Sequence, residues 1–178
     1  EEQEQEKVVE RKQQPSPKRI VVEEEVPVEA DDFAMGPANA PVTIVEFADF
    51  ECGYCRLLNR NLKPLKKKYE GKVRWVFKHF PLNNSCNKVM KGTQHPRACA
   101  AARAANCAGF QDLFWPMHDQ LFANSHKLQD DDLLEHAKSI GADLEKWAQC
   151  MKGTEVDRQI TEDTMLGRFA RISGTPRM

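Results

Sequence analysis

At 178 residues the chain is long enough for one ordinary domain with a sizeable core. Its formal charge of -1 makes no electrostatic case for nucleic acid, and no apolar run approaches the ~20 residues of a membrane span. Six cysteines suit an oxidising compartment better than a cytosol.

Residues 1–17 are mostly Glu, Gln, Lys and Arg with almost nothing to bury, the composition of a charged flexible segment. The opening Glu-Glu-Gln-Glu-Gln-Glu is no signal peptide, so the numbering is expected to start inside a mature or trimmed form. Residues 18–178 read as the folded domain. Within it, 19–28 has strand propensity, with Pro27 suited to an edge. The nearly continuous apolar, β-branched run at 42–47 predicts a strand buried on both faces.

Cys52-Gly53-Tyr54-Cys55 follows, and Arg56, Leu57, Leu58, Leu62 and Leu65 continue at helical spacing. Pro64 should kink this helix, and Gly71 is a natural residue to end it. A second buried strand is predicted over 73–80, parallel to the first because a helix crosses between them. After a polar loop at 83–92, everything from Pro96 to Ile172 reads helical: 97–108, 110–124, 130–140, 144–151 and 155–172. Gly109, Gly141 and Gly174 serve as stops, and Asp143 as a cap.

The chemistry centres on the two cysteines. The spacing places Cys52 at a helix N-terminus, where unpaired N–H groups and the helix dipole favour the thiolate. A thiolate there can attack a disulfide and then be released by the second thiol. Cys52 at the exposed tip is therefore the expected nucleophile, and Cys55, one turn further in, the resolving thiol. Half of a zinc site is the alternative, but it needs two more ligands, and no second Cys-x-x-Cys or His-x-x-x-His exists; no metal is expected.

Gly53 and Tyr54 carry no charge, so helix-terminus effects and local hydrogen bonds must set the thiolate pKa. Of the two, Tyr54 is the one expected to touch substrate. Glu51, next to Cys52, opposes thiolate formation. Glu46 lies in the buried strand, where a carboxylate is costly unless paired or protonated, and Lys78 on the adjacent strand is its candidate partner.

Cys99 and Cys107 are eight apart on one helix, about 12 Å by the helical rise, too far for one disulfide. Two pairings remain: 86–99 with 107–150, or 86–107 with 99–150. The first is preferred, because Cys86 and Cys99 flank one loop while Cys107 and Cys150 lie on helices able to pack. The five histidines show no ligand spacing and read as surface or capping residues. Trp75, Phe77, Phe114, Trp115, Phe122 and Trp147 read as core and domain packing.

These features together resemble the DsbA-like branch of the thioredoxin superfamily, the extracytoplasmic thiol–disulfide oxidoreductases. The likeness runs from about Met35 to the C-terminus. Met35-Gly-Pro-Ala-Asn-Ala-Pro-Val42 is similar to the lead-in before the first core strand, and Val73-Arg-Trp-Val-Phe-Lys-His-Phe-Pro81 to the second core strand and its exit. The Ala-rich segment with Cys107, then Phe114-Trp-Pro-Met-His-Asp119, resembles the inserted helical region, and Gly174-Thr175-Pro176 matches the cis-proline loop.

The resemblance implies an α/β thioredoxin-like fold (18–85 and 173–178) carrying a helical insertion (86–172). It implies a cis bond at Pro176, with Thr175 pairing its backbone with substrate. It further implies that Glu46 and Lys78 assist proton transfer at the resolving cysteine. The redox-active disulfide Cys52–Cys55 does the work with no other cofactor. Cysteine-containing proteins are the substrates, a membrane redox partner regenerates the disulfide, and the setting is periplasmic or extracellular.

Two departures shape the expectation. Gly53-Tyr54 stands where oxidases of the family usually carry Pro-His, and is more familiar in DsbC-type isomerases. After Gly-Thr-Pro only Arg177 and Met178 remain, where the family continues into a hairpin and a last helix, so a truncated chain is expected. The favoured function is disulfide formation; the alternatives are an isomerase or reductase, or a thioredoxin-fold peptide-binding module without turnover.

Overall fold

The computed structural model describes residues 26–178. The charged segment 1–17, and all of the proposed strand at 19–28 except its last three residues, lie outside the described residues; Val26, Pro27 and Val28 form no strand.

Among the described residues three strands make the sheet: β1 (Phe33–Met35), β2 (Val42–Ala48) and β3 (Val73–His79), in the order β1-β3-β2. β2 runs parallel to β3, joined by the crossover helix α1 (Gly53–Lys68), and both strands follow from their apolar runs. Pro64 lies inside α1, which continues through it.

β1 was not foreseen, because three residues carry no periodicity of their own. It is made by its neighbours: Phe33, Ala34 and Met35 pair antiparallel with Phe77, Val76 and Trp75, and the Phe33 ring stacks on Phe114 at 3.9 Å between centroids. Gly36 then turns the chain at φ +98°, where a Cβ would stand 2.4 Å from the Val73 carbonyl oxygen, so only glycine fits.

Five helices follow: α2 (Ala98–Gly109), α3 (Phe114–Ala123), α4 (Asp130–Ser139), α5 (Leu144–Lys152) and α6 (Val156–Phe169). α3 starts four residues later than the pattern suggests, because the turn after Gly109 runs through Asp112 in the left-handed region (φ 62°). Asp143 caps α5, accepting from the N–H groups of Glu145 and Lys146 at 3.2 and 3.1 Å. Six of the seven alanines of α2 (Ala98, Ala101, Ala102, Ala104, Ala105, Ala108) are buried, allowing helices to approach it closely.

The main core lies between these helices and one face of the sheet, around Phe50, Phe77, Phe114, Met117, Leu121 and Phe122. Cys86 is joined to Cys99, and Cys107 to Cys150. Bridges of this kind stabilise by about 2–4 kcal/mol each.

Three histidines read as surface or capping residues are interior: His79, His118 and His136 are buried. His79 and His118 sit in a cage of aromatic rings, and burial lowers both pKa values to about 4, so they are neutral at physiological pH. Their ring nitrogens reach Asn106 and Asp119, which is how an aromatic cluster accommodates imidazoles that hydropathy assigns to the surface. Among the described residues no helix is long and apolar enough to cross a membrane, and no three His, Cys, Asp or Glu gather as a metal site.

Candidate active site

Cys52 is the N-cap residue of α1. Its N–H donates to the Asp49 carbonyl at 3.1 Å, and its carbonyl accepts from Arg56 N at 3.0 Å. Cys55 lies in the first turn, fully buried. The tip is less open than expected: Cys52 keeps only 4% of its surface. Instead it lines a groove of about 750 Å³, together with Tyr54, Arg56, Arg60, Lys63, His95 and Phe122. Tyr54 is 75% exposed beside it, and no heavy atom lies within 4 Å of where a Gly53 Cβ would stand, so the rim is uncrowded.

Both thiols are free, and they are polarised in opposite directions. The Cys55 thiol donates towards Cys52; with help from Thr175 and the N–H groups of Cys55 and Tyr54, this outweighs burial and lowers the Cys52 pKa to about 5. The same hydrogen bond, followed by burial, pushes the Cys55 thiol far up. At neutral pH the pair therefore holds one thiolate at the helix tip and one thiol beneath it. The opposition expected from Glu51 does not prevail; its carboxylate turns away to accept from Arg97 N at 2.7 Å.

From the other end of the chain, the Thr175–Pro176 bond is cis, and the Thr175 carbonyl lies 3.5 Å from Cys52 Sγ. Arg177 ties this loop to β2 by two backbone bonds with Phe47, at 2.8 and 3.0 Å.

The expected Glu46–Lys78 pair does not form. Glu46 is in register with Phe77, and Lys78 with Phe47. Neighbouring strands project registered residues to the same face, so residues one step out of register lie on opposite faces. Lys78 points under α6 to Asp32 (2.5 Å) and Asp163 (3.2 Å), and Asp163 also accepts from His79 N at 2.8 Å. Burial works against the Lys78 ammonium, but Asp163 and Asp32 more than offset it and raise its pKa.

Glu46 faces the opposite way, with one carboxylate oxygen lacking a hydrogen-bond partner. Burial raises its pKa against the pull of Lys66, whose ammonium stands over the rings of Trp75 and Trp115 at 5.4 and 4.9 Å.

Two residues at the site were not picked out from the sequence. Asp49, directly after β2, is buried, and its carboxylate accepts from the N–H groups of Glu51 and Leu82, each at 2.8 Å. His95, read as a surface or capping residue, sets its Nδ1 2.8 Å from Asp49 Oδ2 and lines the Cys52 groove. An aspartate lodged between Ala48 and Phe50 in an apolar stretch was the available signal.

Residues 29–178 match the family model described as Thioredoxin. A curated relative from Salinispora tropica, the Na(+)/H(+) antiporter NhaA 3, is 38% identical over 152 residues, which are 85% of this chain and 22% of that protein. The Na(+)/H(+) antiporter NhaA of Herminiimonas arsenicoxydans is 31% identical over 85% of this chain and 23% of its own length. The chain thus spans little more than a fifth of these curated relatives.

Among solved structures, a thioredoxin-like oxidoreductase from Silicibacter pomeroyi superposes with a TM-score of 0.70 at 26% identity, covering 83% of this chain and 79% of that one. The α-DsbA1 protein of Wolbachia pipientis gives 0.67 at 26% identity, over 85% and 74%. The thiol–disulfide exchange protein α-DsbA2 of the same organism shares the fold with a TM-score of 0.69 at 21% identity, over 83% and 75%.

Proposed function

Because the chain belongs to the thioredoxin family and is built as a protein disulfide oxidoreductase of DsbA-like fold, we propose that it forms disulfides in protein substrates. A substrate thiolate attacks Cys52 Sγ of the Cys52–Cys55 disulfide. The S–S bond breaks, its electron pair goes to Cys55 Sγ, and Cys55 takes a proton. A second substrate thiolate then attacks the substrate sulfur of the mixed disulfide, and Cys52 leaves as a thiolate. Two substrate thiols become a disulfide, and the protein is left with one thiolate and one thiol.

The observation that carries this direction is the unequal treatment of the two sulfurs. A Cys52 thiolate held by the Cys55 thiol, Thr175 and the first N–H groups of α1 stabilises the reduced protein. Stabilising the reduced form makes the disulfide an oxidant. Thr175 and Pro176 flank Cys52, where the Thr175 backbone is offered to an extended substrate segment, and Tyr54 is placed to touch it.

Glu46, buried and short of a donor, is assigned proton transfer to and from Cys55. Lys78 is not given that role, being committed to Asp32 and Asp163. The working site is an oxidising compartment, a periplasm, where a membrane redox partner restores the disulfide; Cys86–Cys99 and Cys107–Cys150 accord with such a setting. The antiporter name belongs to the longer relatives.

A second reading, isomerase or reductase, is favoured by the uncharged Gly53-Tyr54 pair. Equilibration with glutathione separates the two. The oxidase reading expects a potential nearer -120 mV than -270 mV. Above the Cys52 pKa of about 5 the potential should fall by roughly 30 mV per pH unit, one proton per two electrons, steepening to roughly 59 mV below it. A potential near -270 mV rejects the oxidising direction, and no turnover with a dithiol peptide rejects catalysis.

A further inference from the structure

One histidine on the wall of the Cys52 groove plays no part in the exchange steps above. Its backbone is pinned: His95 N donates to Leu82 O at 3.1 Å, and its carbonyl accepts from Asn83 Nδ2 at 3.0 Å and Ala98 N at 3.3 Å. Its ring is pinned as well, with Nδ1 2.8 Å from Asp49 Oδ2. The Asp49 side chain is wholly buried, and each of its other contacts is a backbone N–H: Glu51 on one oxygen, Leu82 on the other. The Asp49 carbonyl takes the N–H of Cys52 itself. One aspartate therefore fixes both the nucleophile's backbone and the imidazole on the groove wall. Nε2 of that imidazole has no protein partner among the described residues, and the side chain stays about a quarter exposed.

We propose that His95, held by buried Asp49 in the groove lined by Cys52, is a positioning residue that supplies the positive charge Gly53-Tyr54 lack and steadies the Cys52 thiolate. The surroundings favour an imidazolium: the hydrogen bond with Asp49 raises the His95 pKa first, against burial, and the charges of Asp49, Cys52 and Glu51 add to it. No cation is aimed at the ring from the start of α2, because the Arg97 guanidinium is directed to Leu128 O and Asp130. α3 contributes only Phe122 and Ala123 to this groove, while α1 contributes Arg56, Arg60 and Lys63. The hydrogen bond from Cys55 remains the leading support of the thiolate, and the imidazolium adds to it.

The coupling has to be mutual. If the imidazolium favours the thiolate, the thiolate favours the imidazolium by the same factor. Forming the Cys52–Cys55 disulfide removes the negative charge, so the His95 pKa must fall on oxidation.

The assignment rests on Cys52 as the attacking thiol, and its test has two arms. In the unmodified protein, NMR titration of the His95 ring is expected to give a lower pKa in the disulfide form than in the reduced form; equal values overturn the proposal whatever any variant does. In His95→Gln, which keeps a group able to bond Asp49 but carries no charge, thiolate absorbance should titrate at higher pH. The glutathione equilibrium should shift roughly threefold to tenfold towards the protein disulfide, the size expected of one partly screened charge. A variant that melts lower while its thiolate titration and glutathione equilibrium are unchanged makes His95 merely structural and overturns the proposal. A protein with a reductant's potential but an intact His95 coupling sinks the oxidising direction and upholds the His95 assignment.

Discussion

The sheet formed by β2 and β3 buries a charge on each of its faces, and the two faces treat it in opposite ways. Beneath α6, Lys78 lies between Asp32 and Asp163, and the His79 N–H adds a further bond to Asp163. On the α1 side, Glu46 has an oxygen with no partner, and Lys66 acts on it only through space. A buried ion with its partners in place fastens structure, whereas a buried acid short of a donor is poised to exchange a proton. One step along a strand separates the two outcomes.

The sharpest way to break this comparison is Lys78→Met. It leaves two carboxylates facing each other without their cation, and should cost about 3–5 kcal/mol at neutral pH, read from the urea midpoint. Burial already raises the Asp163 pKa, and losing Lys78 raises it further, so the folded variant binds protons that the unfolded chain does not. Its stability should therefore fall continuously as pH rises from the ordinary carboxylate range through neutrality, and recover as the pH is lowered from 7 towards 5. A loss no larger than that of Lys67→Met, on the exposed surface of α1, would show that the cluster fastens nothing.

Gly167→Ala probes the packing of the same face. An added Cβ would stand 2.6 Å from two ring atoms of buried Phe80 and 3.4 Å from Phe47. The expected loss is about 1–3 kcal/mol, with the redox potential unchanged. An unaltered melting temperature would mean that α6 can lift off the sheet freely.

Glu46→Gln should have the smallest effect and the opposite sign. Burial raises the Glu46 pKa, so wild type loses stability as pH rises through that group's titration. The glutamine variant escapes this loss. It should be more stable than wild type by something on the order of 1 kcal/mol at pH 8, and indistinguishable from it near pH 4, by paired melts. A variant less stable at pH 8 would reveal a partner for Glu46 and collapse the contrast between the faces.

The strands at 42–47 and 73–80, the redox helix and the helical block were legible because each carries its own periodicity and its own stops. The Cys52–Cys55 pair was legible for the same reason, since the strand, the motif and the helix are contiguous. What escaped was whatever depends on distant segments meeting. Asp32 lies 46 residues from Lys78 and Asp163 lies 85, and no local pattern joins them. Strand parity alone would have argued against Glu46 with Lys78, had the register been known. β1 was too short to signal itself, and His95 is indistinguishable from a loop histidine until Asp49 is seen beneath it.

The Cys107–Cys150 bridge closes a covalent ring around α3, α4 and most of α5, its two cysteines 43 positions apart in sequence. The link between α3 and α4, residues 124–129, is exposed at His126, Lys127 and Gln129, though Leu128 is buried, and lies inside that ring. A protease that cuts there cannot release a fragment, because both new ends remain on one molecule through the bridge. Such a cut adds only one water to the mass and releases no fragment until a reductant strong enough to open that bridge arrives. In a chain that carries the free Cys52 and Cys55 beside this bridge, the same reducing event that would open neighbouring disulfides would also decide whether a nicked copy stays in one piece.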